Sequence, residues 1–315
     1  MLWKTWTSLC LISVCVLFSA PFHTSAVDAP DRPSLVSAGT AAAAAPADNK
    51  SLVNASSELS LSDTVNKWKT ILSQKQGFEN WQQANWQSYP LGPGTHGWVV
   101  IFGDTGQEVG YMIIHAAEDG SLRLTEYGTG DSPLFSYTTL YRSLVQQALI
   151  PDTISLTDFI QNDAIRKDRL YMDALTAVWK INLQDQTYYL DAKSGELLPI
   201  KSDPVPVLPA QQIGAADLTG TVEERLLPAF DPYNRLPWVQ GTPLQASSLA
   251  ELKTALQTQD QLTYVVLLYG KQVTLPLAVI GYQQWGDNAP FLILDHVGPR
   301  YVLLNEALMQ GRLYP

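Results

Sequence analysis

Two stretches of β-forming residues, each broken by short turns, constrain the fold of this chain most. In the first, from Gly97 to Gly130, three apolar and β-branched runs alternate with turns that contain Asp and Gly. In the second, the runs 275–282 and 290–296 are joined by a Trp-Gly-Asp-Asn sequence. Such runs around Asp- and Gly-containing turns are typical of antiparallel strands. We therefore expect an antiparallel meander in the first stretch and a hairpin in the second.

Helical patterns precede both β-rich stretches. Apolar residues recur at helical spacing after Ser62 and after Ser248, and the second serine has a glutamate three residues later, as in a capping box. Helices beside antiparallel strands predict an α+β fold. The proline-rich stretch from Lys201 to Pro209 indicates a linker. We expect two domains, 61–200 and 201–315, each an antiparallel sheet with one or more helices packed on it.

The N-terminal residues have the pattern of a secretory signal peptide. A lysine at position 4 is followed by an apolar run and by small residues near Ala26. Residues 27–60 are rich in Ala, Ser and Pro, which is typical of a disordered tether. We expect a protein that is secreted or extracellular and retained at the cell envelope, and an uncleaved N-terminal anchor is the alternative.

Cysteine usage excludes one class of enzyme. The chain has two cysteines, Cys10 and Cys15, and both lie inside the predicted signal peptide. The mature chain would then have no disulfide, no thiolate metal ligand and no cysteine nucleophile. We therefore expect a protein that is not a cysteine peptidase, whatever its fold.

The charge is acidic throughout. The formal net charge of the chain is −10, and removal of the predicted signal peptide, which holds one lysine and no acid, makes it −11. Nucleic-acid binding requires a basic surface that displaces counterions from phosphates. We therefore expect no nucleic-acid partner, and no membrane span after signal removal because no later stretch is both long and uncharged.

The C-terminal hairpin resembles part of a C39-like peptidase domain, which has the papain fold. The resemblance is carried by Gly281-Tyr282 at the end of one strand and Asp295 at the end of the next. In that family the first strand begins with the catalytic histidine and the second ends with the acid that orients it. The resemblance places Leu275 at the histidine position and Asp295 at the acid position.

The same resemblance implies a nucleophile on an earlier helix, after a glutamine. Gln211 and Gln212 stand near the expected glutamine position, but the segment 213–218 contains no Cys, Ser or Thr. Acyl transfer requires a nucleophile and a base within hydrogen-bond reach. The resemblance therefore implies a degenerate peptidase domain that keeps the scaffold without the activity.

A shorter resemblance lies in the N-terminal half. The strand that ends at Asp191 runs into Asp-Ala-Lys-Ser-Gly-Glu, which resembles the closing turn of the PepSY family. That resemblance implies a small α+β module of secreted and envelope proteins with no catalytic residues of its own.

The remaining acids and histidines predict no metal or cofactor site. His115 and Glu118 have a spacing that suits two ligands on a helix, but they lie at the end of a predicted strand. Asp295 and His296 are adjacent, so in a strand their side chains would point to opposite faces, and we expect His296 to be a surface or turn residue. A pair of carboxylates from distant parts of the chain stays open.

These observations leave three hypotheses. The first is a secreted, non-catalytic binding protein or pseudo-peptidase of the cell envelope, with a candidate binding groove at Tyr282, Trp285 and Asp295. The second is a carboxylate-dependent hydrolase that acts on wall glycan or peptide. The third is a peptidase inhibitor or propeptide-like module. The expected partner is a protein or peptide, or cell-wall material.

Overall fold

The computed structural model describes residues 49–92, 95–206 and 217–315. The predicted signal peptide and most of the predicted tether lie outside these residues. The first helix begins at Asn49, inside the range predicted as tether. None of the described helices combines the length and the apolar character that a bilayer crossing requires.

The helices and strands follow one another in an irregular order. The helices are α1 Asn49–Leu72, α2 Tyr137–Gln146, α3 Leu156–Gln161, α4 Pro237–Gln240, α5 Leu249–Thr258 and α6 Leu304–Gln310. The first seven strands are β1 Asn85–Pro90, β2 Gly97–Asp104, β3 Gln107–Ala116, β4 Leu122–Thr129, β5 Arg166–Asp173, β6 Thr176–Leu183 and β7 Gln186–Asp191. The others are β8 Val222–Leu226, β9 Thr263–Leu268, β10 Val273–Trp285, β11 Phe291–Asp295, β12 Pro299–Leu303 and β13 Gly311–Tyr314.

The strands form two antiparallel sheets, which confirms the predicted α+β class. The larger sheet has ten strands in the order β1-β2-β3-β4-β12-β11-β10-β9-β13, and β8 pairs with part of β10. The smaller sheet has the order β5-β6-β7. The predicted meander corresponds to β2, β3 and β4, and the predicted hairpin to β10 and β11.

The larger sheet contains strands from both predicted domains. Strand β4 from the N-terminal half pairs with β12 from the C-terminal half, with Tyr127 opposite Tyr301 and Gly128 opposite Arg300. Residues 50–315 form one compact unit. The two halves are therefore joined by backbone hydrogen bonds in the middle of one sheet.

Three apolar cores lie against the larger sheet. Helix α1 buries Val65, Trp68 and Leu72 on one face, against strands of both halves. On the other face, α2, α3 and the smaller sheet cover the N-terminal strands. Helices α5 and α6 cover the C-terminal strands on that face, where Leu252 and Ala307 are buried.

Local signals identified the helix α5 correctly. The hydroxyl oxygen of Ser248 accepts a hydrogen bond from the backbone N–H of Glu251, and the helix begins at Leu249. The segment Val222–Leu226, which has no clear periodicity, forms β8 beside β10. Backbone pairing with β10, and not the apolar pattern of β8 itself, accounts for this strand.

Candidate functional site

Tyr282 and Trp285 of the predicted groove lie in different cores. Tyr282 is buried with the residues under α5, and its hydroxyl donates to Oε1 of Glu223 at 3.0 Å. Trp285 is buried in the core under α1, and its indole N–H donates to Oε1 of Gln283 at 2.6 Å. The two rings are therefore on opposite faces of the sheet and do not line a common groove.

Asp295 lies at the far end of the hairpin from Trp285. It is paired with Ala278, seven residues before Trp285 on β10. At roughly 3.3 Å per residue the separation along the strand is about 23 Å. One Asp295 carboxylate oxygen accepts the backbone N–H of Gly298 at 3.1 Å, closing the turn after β11. The structure does not bring the three predicted groove residues together.

Of the positions where the C39-like resemblance places the histidine and the glutamine, only Leu275 is among the described residues. Leu275 is half-buried in β10, opposite Val266 of β9. Gln211 and Gln212 lie outside the described residues. The resemblance to a peptidase domain therefore stays a prediction.

His296 lies in the turn after β11, as one of the two predicted alternatives has it, but it is buried and not at the surface. It is 6% exposed, and its Nδ1 lies 3.0 Å from Nη1 of Arg300. The turn after β11 brings its backbone N–H to the carbonyl of Gly298 at 3.0 Å, which folds the ring inward. Burial lowers the pKa of His296 to about 4, so the ring is neutral at pH 7.

His296 belongs to a charged cluster between β4, β7 and β12, which we define as Glu126, Asp191, Lys193, His296 and Arg300. At its centre, Nε of Arg300 lies 2.6 Å from Oε1 of Glu126, and the two side chains are 1% and 0% exposed. Burial raises the pKa of the Glu126 carboxyl, and Arg300 opposes this shift. The pair connects β12 of the C-terminal half to β4 of the N-terminal half.

Two tyrosines complete the shell of Glu126. Tyr111 donates to Oε1 at 2.5 Å, and Tyr171 donates to Oε2 at 2.9 Å. Both carboxylate oxygens therefore have a donor. A buried charge is tolerated only when it is paired and hydrogen-bonded in this way.

Asp191 and Lys193 bring the predicted PepSY-like turn into the charged cluster. Asp191 lies 3.9 Å from Nε2 of His296 and accepts the backbone N–H groups of Lys193 and Ser194 at 2.9 and 2.7 Å. The Lys193 ammonium donates to the carbonyls of Ser132 and Val297. Burial lowers the pKa of Lys193 to about 8.

The geometry of the charged cluster suits a structural connection between the two halves better than a catalytic centre. All five residues are less than one-tenth exposed. A general base must come within hydrogen-bond reach of a substrate proton, which burial of this kind prevents. The contacts of the cluster instead connect three strands and two turns across the boundary between the halves.

A cleft of about 410 Å³ lies elsewhere, at the open end of the smaller sheet. Its volume is in the range of ligand-binding pockets. Most of its lining is apolar, namely Leu149, Ile150, Pro151, Ile154, Ala164, Ile165 and Leu183. The other lining residues are Asn162, Gln184, Gln186 and Tyr188. We call this the β7 cleft, because Gln186 and Tyr188 are on β7.

The edge of β7 beside this cleft has outward-facing backbone groups. The Tyr189 carbonyl accepts the Leu198 N–H, and the Asp191 N–H donates to the Glu196 carbonyl, both away from β6. Because backbone directions alternate along a strand, the N–H and C=O of Thr187 also point away from β6. Thr187 is exposed. This end of β7 is therefore a strand edge next to an apolar cleft.

His115 and Glu118, whose spacing would suit two metal ligands on a helix, lie in different surroundings. His115 is near the end of β3, with Nδ1 3.1 Å from the Thr125 hydroxyl, and burial lowers its pKa to about 4. Glu118 and Asp119 are exposed in the following turn. Within the described ranges, no group of three or more His, Cys, Asp or Glu side chains could hold a metal ion.

Comparisons of the chain with protein families, with curated proteins and with solved structures found no match.

The sequence does not predict the Glu126–Arg300 pair or the lining of the β7 cleft. Glu126 lies on a strand whose residues from Leu124 to Tyr127 are all buried, and Arg300 is the second residue of β12, where the three residues after it are also buried. A charged residue inside each of two apolar runs is a signal that they could pair. No sequence pattern predicts the cleft, because its lining residues come from four separate loops and strands.

Proposed function

We propose that the chain is a secreted, non-catalytic protein of the cell envelope that binds an extended peptide segment at the β7 cleft. The observation that carries this proposal is an apolar cleft of about 410 Å³ directly beside an open strand edge. Sheet edges of this kind bind peptides by strand addition, with backbone hydrogen bonds for affinity and side-chain pockets for specificity.

The peptide would continue the smaller sheet beyond β7. Its backbone would pair with the N–H and C=O of Thr187, which face away from β6. An apolar side chain of the peptide would then enter the cleft near Leu183 and Tyr188, with the Gln184 and Gln186 amides at its rim. The covered part of β7, from Tyr189 onward, limits the added strand to a few residues.

The chemistry of the lining supports binding without catalysis. The cleft has no Asp, Glu, His, Ser or Thr among its lining residues. It therefore offers neither the two carboxylates of a hydrolase nor a hydroxyl nucleophile with a base. The degenerate peptidase-like hairpin serves in this proposal as scaffold.

One substitution tests the strand edge. Thr187→Pro removes a backbone donor that faces away from β6, so the β6–β7 ladder is kept. Thr187→Val is the matched control, because it removes the same hydroxyl but keeps the N–H. Peptides selected from a display library against the mature chain should bind Thr187→Val as they bind wild type, and Thr187→Pro about tenfold or more weakly.

A second substitution tests the cleft. Ala164→Trp fills the cleft from an exposed position of its lining and should abolish binding of the same peptides. Equal binding by wild type, Thr187→Pro and Ala164→Trp would contradict the proposal. Hydrolysis of peptide or wall glycan by the purified mature chain would contradict its non-catalytic part.

A further inference from the structure

Arg169 lies in a cage of three aromatic rings at the rim of the smaller sheet. It is on β5 and is 8% exposed. Its guanidinium carbon is 4.3 Å from the ring centre of Tyr89, 4.8 Å from that of Tyr137 and 4.7 Å from that of Trp179. Aromatic faces stabilise a cation in this arrangement. They do not replace the hydrogen-bond acceptors that a guanidinium requires.

Three N–H donors in this cage have no acceptor. Among the described residues, Nε and Nη2 of Arg169 and Nε1 of Trp179 are buried without a hydrogen-bond partner. The Tyr137 hydroxyl is a side-chain hydrogen-bond partner of the Arg169 guanidinium, and no described carboxylate forms an ion pair with it. A buried donor without an acceptor destabilises the folded state, and a charged donor does so more strongly. Three together therefore indicate a missing acceptor.

The two free nitrogens of Arg169 define the shape of that acceptor. Nε and Nη2 lie on the same edge of the planar guanidinium, with parallel N–H bonds. This edge is the fork that binds the two oxygens of one carboxylate.

We propose that Arg169 is a binding site for the carboxylate group of a ligand. The two carboxylate oxygens accept from Nε and Nη2, and the indole N–H of Trp179 supplies the third donor to the same group. The ligand carboxylate neutralises a buried positive charge. This inference goes beyond the β7 cleft, because Arg169 is separated from Leu183 by about four residue positions along the sheet, roughly 13 Å.

Access to the site requires movement of ring side chains at its outer side. Tyr89 and Tyr137 are half-buried, whereas Trp179 is 1% exposed. The Tyr89 hydroxyl is held at the surface by Oε1 of Gln87 at 2.6 Å. A rotation of Tyr89 or Tyr137 uncovers the free edge of the guanidinium without disturbing the β5–β6 ladder.

The test uses two small probes that differ only in charge. N-acetyl-alanine carries a carboxylate, and N-acetyl-alaninamide replaces it with a neutral amide. In ¹H–¹⁵N spectra of the mature chain, the carboxylate probe should shift the Arg169 Nε–H and Trp179 indole signals in a saturable way. The amide probe should leave both signals unchanged. N-acetyl-glutamate amide, whose only carboxylate is on its side chain, is titrated separately. Its affinity, compared with that of N-acetyl-alanine, shows whether the site prefers a side-chain or a chain-terminal carboxylate.

Two arginine variants complete the experiment. Arg169→Lys keeps the charge but loses the fork, so the carboxylate probe should bind it at least about tenfold more weakly. Arg166→Gln is the control, because Arg166 is an exposed residue of the same strand paired with Asp168 at 2.9 Å, and its loss should leave binding unchanged. If Arg169→Lys does not fold, the comparison of the two probes on wild type still decides.

Absence of any shift with either carboxylate probe up to 100 mM, or equal shifts with carboxylate and amide, would overturn the proposal and leave an ordered water as the acceptor. Peptide binding at the β7 cleft is measured independently with the Thr187 variants. Failure of one proposal is therefore distinguishable from failure of the other.

Discussion

Replacement of Arg300 by Met tests whether the charged cluster holds the two halves together. The substitution removes a guanidinium that is 1% exposed and leaves the Glu126 carboxylate, which is 0% exposed, without a counter-charge. Loss of one partner from a buried ion pair costs about 3–5 kcal/mol. Glu126 keeps its hydrogen bonds from Tyr111 and Tyr171, so we expect a loss of free energy of unfolding near the lower end, about 3 kcal/mol at pH 7.

The free energy of unfolding of Arg300→Met depends on pH through the Glu126 carboxyl. Without Arg300, burial raises the pKa of Glu126 further above its unfolded value. The folded variant then binds a proton more readily than the unfolded chain, so its free energy of unfolding rises as pH falls. The cost of Arg300→Met relative to wild type should therefore shrink between pH 7 and pH 5.

Urea unfolding at 25 °C, followed by tryptophan fluorescence, measures these differences. The double variant Glu126→Gln with Arg300→Met should be no less stable than Arg300→Met alone, because a neutral glutamine needs no counter-charge. Arg312→Met, at an exposed arginine, is the control and should change stability by about 0.5 kcal/mol or less. A cost below about 1 kcal/mol for Arg300→Met, or the same cost at both pH values, would show that Glu126 and Arg300 do not form a buried ion pair.

Two further predictions concern the same region of the sheet. Burial holds the pKa of Lys193 near 8, below its unfolded value, so the wild-type free energy of unfolding should rise by about 1–2 kcal/mol from pH 7.5 to 9.5. Lys193→Met should abolish that rise in urea titrations, and an unchanged rise would contradict the assignment. Gly281→Ala should destabilise by at least about 2 kcal/mol, since its φ is +142° and a Cβ would lie 1.9 Å from the Arg225 carbonyl oxygen. Gly120→Ala, at φ +80° with open space around it, should cost only about 1 kcal/mol, and thermal unfolding of the two glycine variants measures the difference.

Local patterns in the sequence predict much of the secondary structure. The meander corresponds to β2, β3 and β4, and the Ser248 capping box marks the start of α5, because turn chemistry and capping are decided by residues a few positions apart. The pairing of β4 with β12 joins residues such as Tyr127 and Tyr301, which are far apart in the sequence. The one signal for that pairing, a charged residue in each apolar run, lies in parts of the sequence far apart from each other. The sequence therefore predicts a separate sheet for each half, whereas the larger sheet contains strands of both halves.

The candidate site shows the same limit. The outline of the β10–β11 hairpin pointed to Tyr282, Trp285 and Asp295. Tyr282 and Trp285 are three residues apart on β10, so alternation of side chains along the strand places their rings on opposite faces of the sheet. No residue near Arg169 in the sequence distinguishes it from a surface arginine. Only the three aromatic rings packed around its side chain do so.

Isoleucine methyl NMR of the mature chain with a display-selected peptide tests the central claim most directly. The account predicts shifts at Ile150, Ile154 and Ile165, which line the β7 cleft, and unchanged signals at Ile280 and Ile293 of the hairpin. Shifts confined to Ile280 and Ile293 would contradict the account and place peptide binding at the peptidase-like hairpin.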